Sequence, residues 1–451
     1  MTLWGGRFSD GPDDALWRFT VDLSDRRLLA DDVTGSLAHV AMLGEVGLLD
    51  QSDVAALIGG LEAIRAEGVG GTFVFSDTDE DVHSAVERRL GEIVGAELAG
   101  RLHTGRSRND QVSLDLRLYL RRSVGERMAQ IDDLCAALVL AAEEVGDAVV
   151  ASYTHLQQAQ AIPLAHHLLA YAWMLRRDRS RFDGALDRID VSPLGAGASA
   201  GSSLPLQPEI VARQLGFRAV FENSLDAVGS RDVAAEYTFC CAQSMVTLSR
   251  LSEDLVLWST SEFGWVTFAD GFTTGSSALP HKRNPDIAEL ARGRAAVVVG
   301  DLTGLLALQK GLPLTYNRDL QEDKRAVFHA DDTLCGALDG LTGMISSARW
   351  HPREPDSWVA ALDLAEQLVR RGVPFRQAHD AVGRLVHDLE SDGRTLAEAT
   401  AGDLAAAHTQ LVPEDLDLIT PAGSVAARTT PGGGSMESVQ TQINRLRAEL
   451  G

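Results

Sequence analysis

The chain is short of cysteine, of aromatic residues and of positive charge. Its 451 residues include 4 cysteines, namely Cys135, Cys240, Cys241 and Cys335, with no C-x-x-C spacing and with two of them adjacent. That pattern argues against a disulfide framework and against a zinc site. The 12 histidines show no H-E-x-x-H spacing. His166 and His167 are neighbours and would point about 100° apart on a helix, so no metal and no cofactor are expected. Lys and Arg number 41 against 64 Asp and Glu, a net charge of −23. Phosphate attraction needs a basic surface, so no nucleic-acid partner is expected. Long apolar runs are missing as well. The most apolar stretch, Leu134 to Ala142, is too short to span a membrane, and residues 1–7 carry no signal core. A cytoplasmic protein with no membrane partner is expected.

Strand patterning is also scarce, with Thr72 to Phe75 the one short candidate. Helical periodicity takes its place. Val124, Met128, Ile131, Cys135, Leu138, Ala142, Val145 and Val149 follow steps of four and three, which is an a/d seam. Leu164, Leu168, Tyr171, Leu175, Asp178, Phe182, Ala185 and Ile189 repeat the rule, with Asp178 the only polar break. A third seam runs from Tyr237 to Trp258, and Asp286 to about Lys310 is helical by composition. Several long helices in one chain imply a bundle. Seams on more than one face suit burial against other copies, so a homo-oligomer is expected. His351-Pro352-Arg353-Glu354-Pro355 closes the helical middle of the chain.

Four polar clusters interrupt this pattern. His103 to Gln111 (HTGRSRNDQ) precedes a helix. Asn109 or Asp110 would serve there as an N-cap, and two arginines with an asparagine at a helix start also suit a carboxylate. Tyr153 to Gln157 (YTHLQ) sits at a connection, where functional side chains gather. Asp270 to Leu290 (DGFTTGSSALPHKRNPDIAEL) places two serines, a lysine and an asparagine on a loop before a helix, and it does not fit a P-loop. Tyr316 to Lys324 (YNRDLQEDK) opens another helix. A solvated loop or a simple helix start is the plainer account of each taken singly.

Together the four clusters resemble the fumarase/aspartase superfamily of lyases. The third is similar to that superfamily's signature loop, with Leu279 where methionine is usual. Trp4 to Phe8, Asp79 to His83, Thr154 to Gln157, Gly311 to Leu314 and Tyr316 to Lys324 narrow the resemblance to the argininosuccinate lyase family, over essentially the full length. Three features depart from that family's usual form. His281-Lys282-Arg283 stands where Gln-Lys-Lys is common, a substrate-binding serine is replaced around Val21-Asp22, and Gly432 to Met436 differs from the usual tail.

The resemblance implies β-elimination of N-(L-arginino)succinate to fumarate and arginine, in arginine biosynthesis. It implies Ser276 as catalytic base on a mobile loop, with Lys282 and Asn284 at the carboxylate end. Thr154 and His155 would bind substrate and assist proton transfer, with Glu289 as the histidine's partner. Ser107, Arg108 and Asn109 would hold the succinyl part, and Tyr316, Gln321 and Lys324 the arginine part. It further implies a homotetramer whose active sites are shared between subunits. The expected fold is all-α: a long central bundle (residues 106–357) flanked by two smaller, mainly helical domains (1–105 and 358–451). A lyase for another N-substituted aspartate, such as adenylosuccinate, and a non-enzymatic crystallin-like protein stay open as alternatives. A cleft lined by Arg106, Arg108, Lys282, Arg283, Arg318, Lys324 and Arg325 is expected to be locally positive inside an acidic protein.

Overall fold

A computed structural model describes residues 13–451. The resemblance at Trp4 to Phe8 lies outside the described residues. The chain divides into two compact units. One comprises residues 13–128, Arg181–Ala242 and Val297–Thr333; the other comprises Ala129–Ser180, Gln243–Ala296 and Leu334–Gly451.

In the first unit, α1 (Leu29–Glu45), α2 (Gln51–Val69) and α3 (Val82–Val94) form a helical layer. Val33, Val40, Leu43, Leu57, Leu61, Ile64, Val86 and Leu90 make its core. Asp81 starts α3 through a capping box with Ser84, satisfying two backbone donors that would otherwise lack partners. Five long helices contribute residues to both units: α4 (Arg108–Glu144), α5 (Leu164–Ile189), α6 (Asp232–Trp258), α7 (Asp286–Gln309) and α8 (Asp323–Ser346). In the first unit their buried polar joint is Asp331, which accepts from the hydroxyls of Tyr119 on α4 and Tyr237 on α6. Two phenols on one buried carboxylate leave little freedom in how these three helices pack.

In the second unit Ile131, Leu138, Leu168, Leu175, Leu248, Leu251 and Leu255 are buried, as the seams require. His167 and Tyr171 of α5 both contact Asp254 of α6, at 2.7 and 2.6 Å. Beyond the long helices, α9 (Ala361–Arg370) and α10 (Phe375–Ser391) close over a separate cluster that includes Leu364, Leu368, Leu385 and Leu389. The last helix, α11 (Met436–Leu450), is tied to α5 by Trp173 donating to Gln442 at 3.0 Å.

The chain is mainly helical, as expected, and α5 has the bounds its seam gives. Two expectations are corrected. Thr72 to Phe75 forms no strand; its alternating aromatics instead stack edge-to-face, Phe73 on Phe75 at 4.9 Å, under the Arg26 guanidinium. The seam through Val145 and Val149 does not stay helical, because Gly146 adopts φ 58, a left-handed conformation that glycine reaches without penalty. Val149 then opens β1 (Val149–Thr154), which pairs antiparallel with β2 (Gln157–Pro163). A register shift falls between Ala151 and Tyr153. Ser152 fills it, its hydroxyl donating to the Gln160 carbonyl and accepting from the Gln160 N–H.

Among the described residues no disulfide joins the four cysteines, and no helix is long and apolar enough to cross a membrane.

Candidate active site

The helix α4 begins at Arg108, so its cap is Ser107, not Asn109 or Asp110. Ser107 Oγ accepts from the Asn109 N–H at 3.2 Å while Asp110 Oδ1 accepts from the Ser107 N–H at 2.9 Å, a reciprocal box. Asp110 Oδ2 also accepts from the N–H groups of Gly195 and Gly197, at 3.1 and 2.8 Å. The Pro193 to Ala198 turn is thereby clamped on the helix start, and Asn109 donates to the Ala198 carbonyl at 3.0 Å. Arg108 leaves this start pointing at Asp81, Nε to Oδ2 at 3.1 Å, with Nη1 on Gln111 at 2.9 Å.

Arg108 and Asn109 share a cavity of about 270 Å³ with Tyr316, Gln321 and Lys324. These come from segments some two hundred residues apart, and the first and fourth clusters meet there. The cavity is also lined by Asp22, Asp25, Glu80, Asp81 and Arg318. Sequence reasoning had not assigned these acids to the site. The signal for two of them was the run Asp79-Glu80-Asp81, and for a third the unusual Asp22.

The part of the expected positive cleft that lies in the first unit is mixed in charge. In the first unit, four carboxylates face Arg108, Arg318 and Lys324. Arg106 is half-buried and donates to Ser36 Oγ at 2.9 Å, and Arg325 pairs with Asp22 at 3.2 Å. Such a mixed lining suits a ligand carrying both signs of charge, and electrostatic steering by this cavity is not expected.

Burial raises the Asp25 carboxyl to about 6; His83 opposes the rise, Asp81 adds to it, and Lys324 and the Val82 N–H oppose it. Burial would raise Asp81 too, but Arg108 and His83 hold it below the ordinary carboxylate value. For Asp25 the folded-state value lies above the unfolded one. Its stabilising contribution is therefore full below pH 3.8 and lost as pH rises through about 6. The variant Asp25→Asn should flatten the pH dependence of unfolding free energy between those values. An unchanged slope in denaturant melts would show that Asp25 does not carry it.

Below the cavity Asp32, His83 and Asp115 bring ligand-type atoms within 4.8 Å of one another, all buried. His83 Nδ1 lies 2.9 Å from Asp32 Oδ1 and 3.2 Å from Asp115 Oδ2, and Gln111 donates to Asp32 at 2.5 Å. Burial pushes the Asp115 carboxyl up, and the neighbouring Asp32 and Asp31 carboxylates push it further. Burial likewise opposes ionised Asp32, yet His83 and Arg106 hold it low.

The remaining candidates lie in the second unit. Thr154 and His155 sit at the exposed tip of the β1–β2 hairpin. His155 and Leu156 both have positive φ, 56 and 57. A two-residue turn of this hand matches strand twist, but non-glycine residues there are strained. Strain of this kind concentrates at functional sites. Leu156 is 78% exposed and loses little packing on truncation. Leu156→Gly should therefore stabilise the protein by about 1 kcal/mol, read as a higher Tm; a lower Tm would mean that the leucine is covered.

The signature loop is closed at its base. Thr274 and Asn284 exchange backbone hydrogen bonds at 3.1 and 2.9 Å, Asn284 Nδ2 reaches Thr274 Oγ1 at 3.4 Å, and that hydroxyl donates to Asp286 at 2.6 Å. Within the loop Ser276 Oγ accepts from the N–H groups of Ala278 and Leu279, at 3.3 and 3.1 Å. Lys282 is exposed, whereas Arg283 is bound to Asp270 at 2.9 Å. Glu289 lies exposed in the first turn of α7, and among the described residues no hydrogen bond joins it to His155.

Comparison with known proteins identifies the family and the fold. The family described as Lyase matches residues 6–300, and Argininosuccinate lyase C-terminal matches 358–426. The fold is similar to EDDS lyase in complex with formate, with a TM-score of 0.83, 28% identity, and coverage of 96% of this chain and 88% of that one. It is also similar to a class II fumarase from Schistosoma mansoni, with a TM-score of 0.76, 15% identity, and coverage of 93% and 94%. The chain is a carbon–nitrogen lyase of the fumarase superfamily. Argininosuccinate lyase from Cutibacterium acnes is 48% identical over 456 residues, covering 100% of this chain and 97% of its own length. That from Frankia casuarinae is 48% identical over 461 residues, covering 100% and 98%. The chain belongs to the argininosuccinate lyase family.

Proposed function

We propose that the chain cleaves N-(L-arginino)succinate into fumarate and L-arginine, with the residue roles that follow. A proton leaves the carbon beside a succinyl carboxylate, the C–N bond breaks, and its electron pair goes to the departing nitrogen. Negative charge builds on that carboxylate before the double bond forms, so fixed donors aimed there stabilise the transition state most. Lys282 and Asn284 supply these donors. Ser276 takes the proton. Its Oγ already accepts two backbone N–H groups, which favour the anionic oxygen, and a cation lies on the same loop.

Thr154 and His155 bind the succinyl carboxylates and assist proton transfer, with Glu289 as the histidine's partner. Ser107, Arg108 and Asn109 hold the succinyl end. Tyr316, Gln321 and Lys324 meet the arginine half, whose positive groups find Asp22, Asp25, Glu80 and Asp81 in the same cavity. The observation that carries this reading is that single cavity, where two distant clusters converge with carboxylates and cations together.

The enzyme works as a cytoplasmic homotetramer with sites assembled from several subunits, and three segments (1–105, 106–357 and 358–451) make up each subunit. Ser276 and Glu289 are supplied to the cavity by other copies. The decisive assay follows fumarate release from argininosuccinate and from adenylosuccinate in parallel. Fumarate from adenylosuccinate alone would overturn the assignment. Mixing Ser276→Ala with Lys324→Met, each impaired but for different residues of the site, should give more activity after subunit exchange than either variant alone. No recovery in confirmed mixed tetramers would refute shared sites.

A further inference from the structure

Lys324 faces the cavity, yet its ammonium does not stand alone. Nζ donates to Asp323 Oδ1 at 3.0 Å. A simple pair of this kind would cancel the lysine's charge and leave a poor receptor for an anion. Asp323 is fully buried, however, and its second oxygen is already taken: Oδ2 accepts from Nε of Arg231 at 2.5 Å. Arg231 is itself only 1% exposed, and its Nη1 donates to the Ser230 carbonyl at 2.8 Å. Its Nη2 has no hydrogen-bond partner among the described residues.

Burying an arginine with a donor unfilled is costly. Burial would raise the Asp323 carboxyl, but Lys324 and Arg231 together hold it below its ordinary value. The two segments are also pinned beside this trio. Thr315 adopts φ 72, and its carbonyl oxygen lies where a Cβ on Gly229 would come within 2.5 Å of it. Any other residue at Gly229 would push the Tyr316 to Lys324 segment away from Arg231.

We infer that Arg231 is a positioning residue that sets specificity for the amine half: by occupying one oxygen of Asp323, it lets Asp323 hold Lys324 at the cavity without neutralising it, so that the site selects an amine bearing a carboxylate. The trio carries one net positive charge. This inference rests on the reading that Lys324 meets the arginine half, whose one anionic group is its carboxylate.

The test compares inhibition by arginine and by agmatine, which is arginine without its carboxylate. A charge-assisted contact should favour arginine by about 10–100-fold in the wild-type enzyme. Arg231→Gln leaves the Asp323–Lys324 pair neutral. It should lose most of that preference and raise KM for argininosuccinate about tenfold or more, with kcat and inhibition by fumarate nearly unchanged. Arg231→Lys should keep the preference. The double variant Arg231→Gln with Asp323→Asn restores one net positive charge and should regain the preference, an outcome that a purely structural role does not produce.

Should Arg231→Gln fail to fold, Asp323→Asn decides, because its added positive charge should widen the preference for arginine; an unchanged ratio would overturn the inference. A wild-type preference in folded Arg231→Gln, lost in Lys324→Met, would also overturn it while leaving the proposed function standing. A preference that survives Lys324→Met would instead show that Lys324 does not meet the amine half.

Discussion

Replacing Ser276 by alanine should lower kcat by about 10²–10⁴-fold while leaving the melting temperature and the binding of fumarate close to wild type. The separation follows from where the hydroxyl sits. Ser276 Oγ is an acceptor for two backbone N–H groups of its own loop, those of Ala278 and Leu279. The loop is fastened without it, by the Thr274–Asn284 backbone pair and by Thr274 on Asp286. Alanine therefore deletes the proton acceptor and leaves the frame that aims Lys282 and Asn284. The two freed N–H groups lie in an exposed turn where water can reach them, so the cost to folding is small. The measurement is single-turnover fumarate formation beside a thermal melt. If Ser276→Ala retained a tenth or more of wild-type turnover, another group would be the base. If turnover and melting temperature collapsed together, the hydroxyl would be a loop fastener instead.

How much of this could be read beforehand depended on whether one local rule decided the outcome. The α5 helix was legible to the residue because its seam, Leu164 to Ile189, begins after a proline and ends before a new turn. The end of α4 was not, since Val145 and Val149 continue the same period into a strand and a single left-handed glycine, Gly146, overrules them. The β1–β2 hairpin was hidden for a related reason. Tight turns announce themselves through Asn-Gly or Asp-Gly, whereas this one bends at His155-Leu156, residues that ordinarily refuse that conformation. Of the site, the clusters at Ser107 to Asn109 and Tyr316 to Lys324 were visible as polar interruptions, but their meeting in one cavity is a matter of tertiary structure. The carboxylates opposite them were not visible. Asp22 caps a short 3₁₀ turn and Asp81 caps α3, so each has an ordinary local explanation that masks its place in the cavity. Arg106 shows the reverse error. The sequence reading places it in the cleft, whereas its guanidinium donates to Ser36 with Nε and Nη2 buried.

Replacing Lys282 by methionine should cost about 10²–10³-fold in kcat with a much smaller change in KM. The loop carries two adjacent cations, and the structure separates their work. Arg283 pairs with Asp270 at 2.9 Å with both side chains largely exposed, a weak tether of about 1 kcal/mol or less. Lys282 is exposed, and its backbone N–H is bound to the Leu279 carbonyl at 3.1 Å, which fixes the turn while leaving the ammonium free to reach a ligand. An ammonium meeting the succinyl carboxylate gains most when that group takes on extra charge as the C–H bond breaks. Its loss must then fall on the transition state more than on the bound substrate. Methionine preserves the length and apolar stem and removes only the charge. As carbanion formation becomes slower than the later steps, substrate deuterated at the proton-losing carbon should show a larger isotope effect in Lys282→Met than in the wild type. An increase in KM with kcat and isotope effect unchanged would place Lys282 in ground-state binding alone, and the charge that stabilises bond cleavage would then have to come from another residue.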